Sequence, residues 1–230
     1  MLEEYYNKKT KTLRIPFSFN EELKNLPPDT EIIIFEENLK KYQYSRFDHL
    51  VDNLPNGLTH LTFGNDFNQK VDNLPNSLTH LTFGHNFNKI VDNLPQNLTH
   101  LTFGVLFNRA VNSLPNNLTH LIFGWKFNKI VDNLPNTLTY LTFGVIFNQK
   151  VDNLPNNLTY LTFGEQFNQK VDNLPNNLTH LTLGERFNQK VDNLPPNIKE
   201  IKIYKFKLGL LTKIPFGCKI IDEDDKEIFL

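Results

Sequence analysis

A histidine or tyrosine returns every 20 residues along the middle of this chain, at His60, His80, His100, His120, Tyr140, Tyr160 and His180. Such a row could do three kinds of chemistry. The rings could stack as a neutral ladder. Neighbouring imidazoles could share a transition-metal ion. They could also titrate together, because imidazole changes charge near neutral pH and stacked imidazolium ions repel. The row holds no carboxylate or thiolate, and structural zinc takes four closed ligands, so no metal is expected. Acidification toward pH 5 is expected to destabilise the protein or weaken its binding. Two residues further on, Thr62, Thr82, Thr102, Thr142, Thr162 and Thr182 form a second row, interrupted by Ile122. Aligned hydroxyls suggest an alternative function, binding of an ordered surface such as ice.

Catalysis is not expected. It needs a nucleophile, a base and an orienting group that converge, whereas a repeat offers the same side chains at every step. The one cysteine, Cys218, has no histidine near it in sequence. No catalytic residue and no cofactor is assigned.

The elements that position these rows follow from the repeat. Leu-Pro pairs begin at Leu54, Leu74, Leu94, Leu114, Leu134, Leu154, Leu174 and Leu194. A short fixed period means one small unit stacked many times. In LTHLTFG (58–64), Leu61 and Phe63 alternate with His60 and Thr62, the pattern of a half-buried strand. Stacking sets these strands parallel, with Leu61 and Phe63 inward and His60 and Thr62 outward. Gly64 is expected to allow a tight turn. Phe67, Val71 and Leu74 read as further inward residues. The return leg FNQKVDNLP is too short and too rich in asparagine for a helix and ends in proline. The expectation is a mainly β, right-handed solenoid of 20-residue rungs, with a parallel β-sheet on one face and an extended return leg without helices. That leg could carry a second short ladder or 3₁₀ turns.

Two more polar rows recur. Asn68 and its successors always follow the phenylalanine, and an inward amide ladder is expected there. Asp72, Asp92, Asp132, Asp152, Asp172 and Asp192 read as solvated turns.

Composition excludes several classes. The net charge is -1, from 24 basic and 25 acidic residues spread along the chain, so no stripe suits a nucleic-acid backbone. No apolar run approaches the length of a membrane span. MLEEYYNKKTK lacks the apolar segment of a secretory signal. A single cysteine suits a reducing compartment, and the Asn-Leu-Thr sequons at Asn97, Asn117, Asn157 and Asn177 read as by-products of repeat copying. An intracellular protein is expected.

The unit FN..VDNLP..LTHLTFG resembles the FNIP repeat, a family of the leucine-rich-repeat class abundant in slime moulds and giant DNA viruses. The match runs closely from Phe47 to Pro195 and implies a leucine-rich-repeat-like solenoid, a protein-interaction role and a viral setting. The LP..L..L.F spacing is also similar to the short leucine-rich repeats of some bacterial effectors. Some family members carry an N-terminal F-box. The first 46 residues here read instead as degenerate rungs, so that role is not carried over.

Three segments are therefore expected. Residues 1–46 form an N-terminal cap with two degenerate rungs, read from Leu13, Ile15, Ile33 and Phe35, and an insertion near Glu37–Arg46. Residues 47–195 hold the regular repeats. Residues 196–230 hold degenerate rungs, with Ile201 and Ile221 in the strand register, and a charged cap. Eleven strands are counted, a body about 50 Å long at the usual strand spacing.

Positions that vary within the unit are free to specify a partner. The pairs after each glycine run Asn65-Asp66, His85-Asn86, Val105-Leu106, Trp125-Lys126, Val145-Ile146, Glu165-Gln166 and Glu185-Arg186. Only the middle rungs are apolar, and they contain the sole tryptophan. Trp125, Val105, Leu106, Ile122, Val145 and Ile146 are the candidate partner-binding residues; burial under neighbouring turns is the competing reading. Ile90, Ala110 and Ile130 either form a second patch or extend the core. The expected function is a non-enzymatic protein-interaction solenoid. Its protein partner is unknown, a homodimer through the Trp125 patch is one form, and neither nucleic acid nor membrane is involved.

Overall fold

The computed structural model describes residues 2–228. Thirteen strands form one sheet in chain order. They are β1 (Tyr6–Asn7), β2 (Thr12–Ile15), β3 (Ile32–Phe35), β4 (His60–Thr62), β5 (His80–Thr82), β6 (His100–Thr102), β7 (His120–Ile122), β8 (Tyr140–Thr142), β9 (Tyr160–Thr162), β10 (His180–Thr182), β11 (Glu200–Lys202), β12 (Lys219–Ile221) and β13 (Glu227–Ile228). Strands β2 to β12 run parallel, each one turn of a mainly β solenoid. The register is that of the repeat: Leu61 pairs with Leu81, and Leu81 with Leu101. Among the described residues no helix is long and apolar enough to cross a membrane.

Each regular coil buries six leucine, phenylalanine and valine side chains except the last, where Leu194 is partly exposed; in one coil these are Leu58, Leu61, Phe63, Phe67, Val71 and Leu74. At roughly 1.5–3 kcal/mol each, one coil cannot offset its own ordering entropy, and stacked coils can. The phenylalanines form two columns. Phe63 and Phe67 stack at 3.7 Å within a coil, and Phe63 meets Phe83 at 5.6 Å between coils. The regular return legs are extended and carry no helix. Phe67 N–H donates to the Gly64 carbonyl, and Leu78 N–H to that of Pro75, rounding the corners.

Two expectations are corrected, and two features were not foreseen. Gly64 opens the expected tight turn, its carbonyl accepting the Phe67 N–H, without a left-handed backbone, since Gly217 is the only described glycine with positive φ. The glycine column also serves close stacking: a Cβ on Gly84 would lie 2.1 Å from the Gly64 carbonyl oxygen. The asparagine ladder is not inward. Asn68 is half-buried, and its Oδ1 accepts the Asn88 backbone N–H at 2.9 Å. The pattern continues to Asn188, and the first coil uses Asp48 in the same role. This side-chain ladder stands where a second short backbone ladder was one of the alternatives. At the C-terminal end, Ile220 rather than Ile221 pairs with Ile201 and is buried. That coil is one residue short, and a one-residue slip exchanges the faces of a strand. Lastly, β1 and β13 pair antiparallel and close both edges of the sheet, which the repeat did not announce.

The segment between β3 and β4 leaves the solenoid without breaking it. Ile33 still pairs with Leu61, while residues 37–44 loop out through a 3₁₀ turn at Leu39–Lys41. Phe47 returns to the core.

Candidate interaction surfaces

The outward ring row is a true stack over its first half. His60, His80, His100 and His120 follow one another at ring separations of 4.1, 4.2 and 4.2 Å with planes within about 12°. Tyr140 continues the row more loosely at 5.5 Å, and His180 lies 4.2 Å from Tyr160. The threonine before each histidine orients the ring. Thr79, Thr99, Thr119 and Thr179 hydroxyls donate to the carbonyl of the equivalent threonine one coil back, and Thr59 donates to Glu31. The same hydroxyl oxygens lie 2.8–2.9 Å from the adjacent Nδ1 atoms. A hydroxyl has one proton, and here it is committed to a carbonyl, so Nδ1 must donate. Each neutral ring is therefore held as the Nδ1–H tautomer, with Nε2 an outward acceptor. Nearly parallel rings aim these nitrogens side by side rather than at one point. Among the described residues no three histidine, cysteine, aspartate or glutamate side chains gather into a metal cluster.

Burial, and then the neighbouring imidazoles, depress the proton affinity of His80 and His100 below the ordinary value near 6.5. The unfolded chain then binds protons more readily than the folded one. Stability is complete above the unfolded value and is lost as pH falls toward the depressed folded value. Protonation occurs at Nε2 and leaves the threonine contact intact, so the penalty is desolvation and ring-to-ring repulsion. The melting temperature should hold above pH 7 and fall from about pH 6.5 toward 5. Substituting His80→Gln and His100→Gln together should flatten that fall. A wild-type melt without slope across this range would refute the coupling.

The residues after the glycines form a continuous edge beside the sheet. Backbone hydrogen bonds link one pair to the next: Lys126 N–H to the Val105 carbonyl, Ile146 N–H to that of Trp125. Trp125 is 53% exposed, and Val105, Leu106, Ile122, Val145 and Ile146 around it are half-buried. Ile122 ends β7 in the tryptophan's own coil. On the return leg, Ile90, Ala110 and Ile130 lie on the surface and do not extend the core.

Cys218 sits near the C-terminal end with its thiol pushed up to about 11 by burial and then by Glu200, so almost none of it is thiolate at neutral pH. Sequence reasoning passed over the oriented threonines at 59, 79, 99, 119 and 179. Their invariance beside the histidine was the available signal. It also passed over Tyr42, Phe206 and Phe216, all largely exposed, which fall in irregular segments where no period marks them.

A family model described as the FNIP Repeat matches residues 49–85, 70–105, 107–145, 147–185 and 170–206. Among solved structures, that of the giant-virus protein CroV588, described as a novel circular LRR protein, superposes with a TM-score of 0.82 at 46% identity. The match covers 92% of this chain and 34% of CroV588, so the chain spans about a third of that protein's length. YopM from Yersinia enterocolitica is a distant neighbour, with a TM-score of 0.35 and 19% identity over 96% of this chain and 65% of YopM. No curated protein matches the chain.

Proposed function

The chain belongs to the FNIP repeat family, and from that premise we propose that it is a non-enzymatic protein-interaction solenoid which docks its partner, a second copy of itself included, on the edge centred at Trp125. Leucine-rich-repeat-like solenoids typically serve protein–protein interaction. The observation that carries the reading is the exposed indole of Trp125 within a strip of half-buried Val105, Leu106, Val145 and Ile146. Aromatic anchors in apolar settings with polar rims dominate binding energy. The non-enzymatic part rests on two features: the imidazoles address threonine hydroxyls and one another, and the single thiol is protonated at neutral pH. The balanced charge favours a protein over a nucleic acid, and the lone free cysteine favours an intracellular setting.

The test is site-specific photocrosslinking in living cells. A benzophenone amino acid replaces Lys126, beside the indole, or Asn136, which is exposed where the chain leads into the next strand rather than out of one. Protein adducts should form at position 126 and not at 136. Adding Trp125→Ala should abolish them while shifting stability by no more than about 0.5 kcal/mol. Equal labelling at both positions would overturn the reading.

A further inference from the structure

Resting on that reading, we propose that the partner at this edge is a second copy of the chain, docked antiparallel about a two-fold axis that passes Trp125. The backbone hydrogen bonds fix one pair of post-glycine residues per coil, in two columns. A two-fold axis lying in the interface and across the coils sets residue i of one copy against residue j of the other, within the same column, and j against i. With the pivot at Trp125, the order of side chains reads onto itself. Val105 meets Val145, and Leu106 meets Ile146, so apolar faces apolar. One coil further out, His85 meets Glu165 and Asn86 meets Gln166, an imidazole on a carboxylate and an amide on an amide. One coil beyond that, Asp66 meets Arg186 and Asn65 meets Glu185. One opposite-sign pair and one imidazole–carboxylate pair per half thus flank an apolar centre, in a strip about 30 Å long at the usual strand spacing.

Other arrangements lose this match. A parallel pairing, with its axis along the stack, exchanges the two columns: it parts the two indoles by setting Trp125 against Lys126, sets Glu165 on Gln166 and Asp66 on Asn65, and keeps one opposite-sign pair, Glu185 with Arg186. Shifting the antiparallel pairing by one coil sets Trp125 against Val145 and leaves a charged pair facing an apolar one. The Arg186–Glu165 contact within one chain, 3.7 Å between exposed groups, is weak enough to rearrange on docking. One adverse pair remains, Lys126 against its own copy at the axis. Its side chain is exposed, and a long stem can carry the ammonium into solvent.

The test uses the full chain with Cys218→Ser as background. Light scattering at about 100 µM should give a mass approaching twice 26.9 kDa, and Trp125→Asp should return it to the monomer. Under mild oxidation, Lys126→Cys should crosslink to itself at the axis. Asp66→Cys should crosslink to Arg186→Cys in a mixture of the two chains and not to itself. Arg186→Glu should lower the dimer fraction, and adding Asp66→Lys should restore it. A monomer at this concentration, or Asp66→Cys linking to itself as readily as to Arg186→Cys, overturns the proposal. If position 126 then still yields photo-adducts of other masses, the edge binds a different protein and the broader reading stands; if it yields none, both fall.

Discussion

Gly104→Ala should destabilise the solenoid severely although it adds a single methyl group. The new Cβ would lie 1.8 Å from the Gly84 carbonyl oxygen and 2.4 Å from its carbon. Both are backbone atoms, so no side chain can swing away. Nor can the coils part locally, because the strands, the threonine hydroxyls and the asparagine ladder hold the same spacing on either side. The cost should reach the upper end of the ~1–3 kcal/mol typical of overpacked interiors, or exceed it. For a chain of this size about 3 kcal/mol corresponds to a melting temperature lower by roughly 6–12 °C. Gly57→Ala is the matched control. Nothing lies within 4 Å of its Cβ position and its φ is not positive, so alanine there should be neutral or slightly stabilising. Melts of the two variants by circular dichroism decide the matter. Equal losses would mean that the glycine column is not set by contact between coils.

That glycine column illustrates what could be read from the chain and what could not. The invariance of Gly64 through Gly184 was plain, and so was its place at the end of each strand. Its tight turn was legible too, whereas the close approach between coils was not, because both leave the same residue. The core rows were legible for the opposite reason: Leu61, Phe63 and Phe67 recur in a period that only an inward position explains. Ile220 was misplaced by one residue because the twenty-residue ruler was carried past the last regular coil, where a one-residue shortening shifts the strand without leaving a compositional mark. The capping strands β1 and β13 are two residues each and too short for any pattern. The histidine row was legible as a row, while its tautomer needed the distances from Thr79 and Thr99, since hydrogen-bond direction is carried by geometry. At the Trp125 edge the departures from the repeat stood out, and the structure adds exposure and spacing, which is what lets a two-fold pairing be tested.

Phe127→Ala should be the most damaging truncation in the middle of the core, at about 3–5 kcal/mol. The ring is fully buried. It stacks on Phe123 at 3.7 Å and lies 6.0 Å from both Phe107 and Phe147, so its loss opens a void facing three aromatic neighbours. Phe187 occupies the equivalent place near the C-terminal end with less support. Its strand-side neighbour is Leu183, and Phe167 at 6.2 Å is the ring it stacks on. A solenoid's stability is close to a sum of coil terms and nearest-neighbour terms, so Phe187→Ala should cost clearly less. Urea unfolding distinguishes the two further. Damage in a central coil interrupts the stack, so the Phe127→Ala transition should broaden or split in two, whereas Phe187→Ala should fray the end and keep one main transition. If both variants lost the same free energy with the same transition width, stability would not be passed from coil to coil through these rings. The argument that the invariant rows build the body while the variable edge is left for recognition would then lose its physical basis. Trp125→Ala completes the comparison, for it is two residues from Phe127 and should leave the same transition almost unmoved.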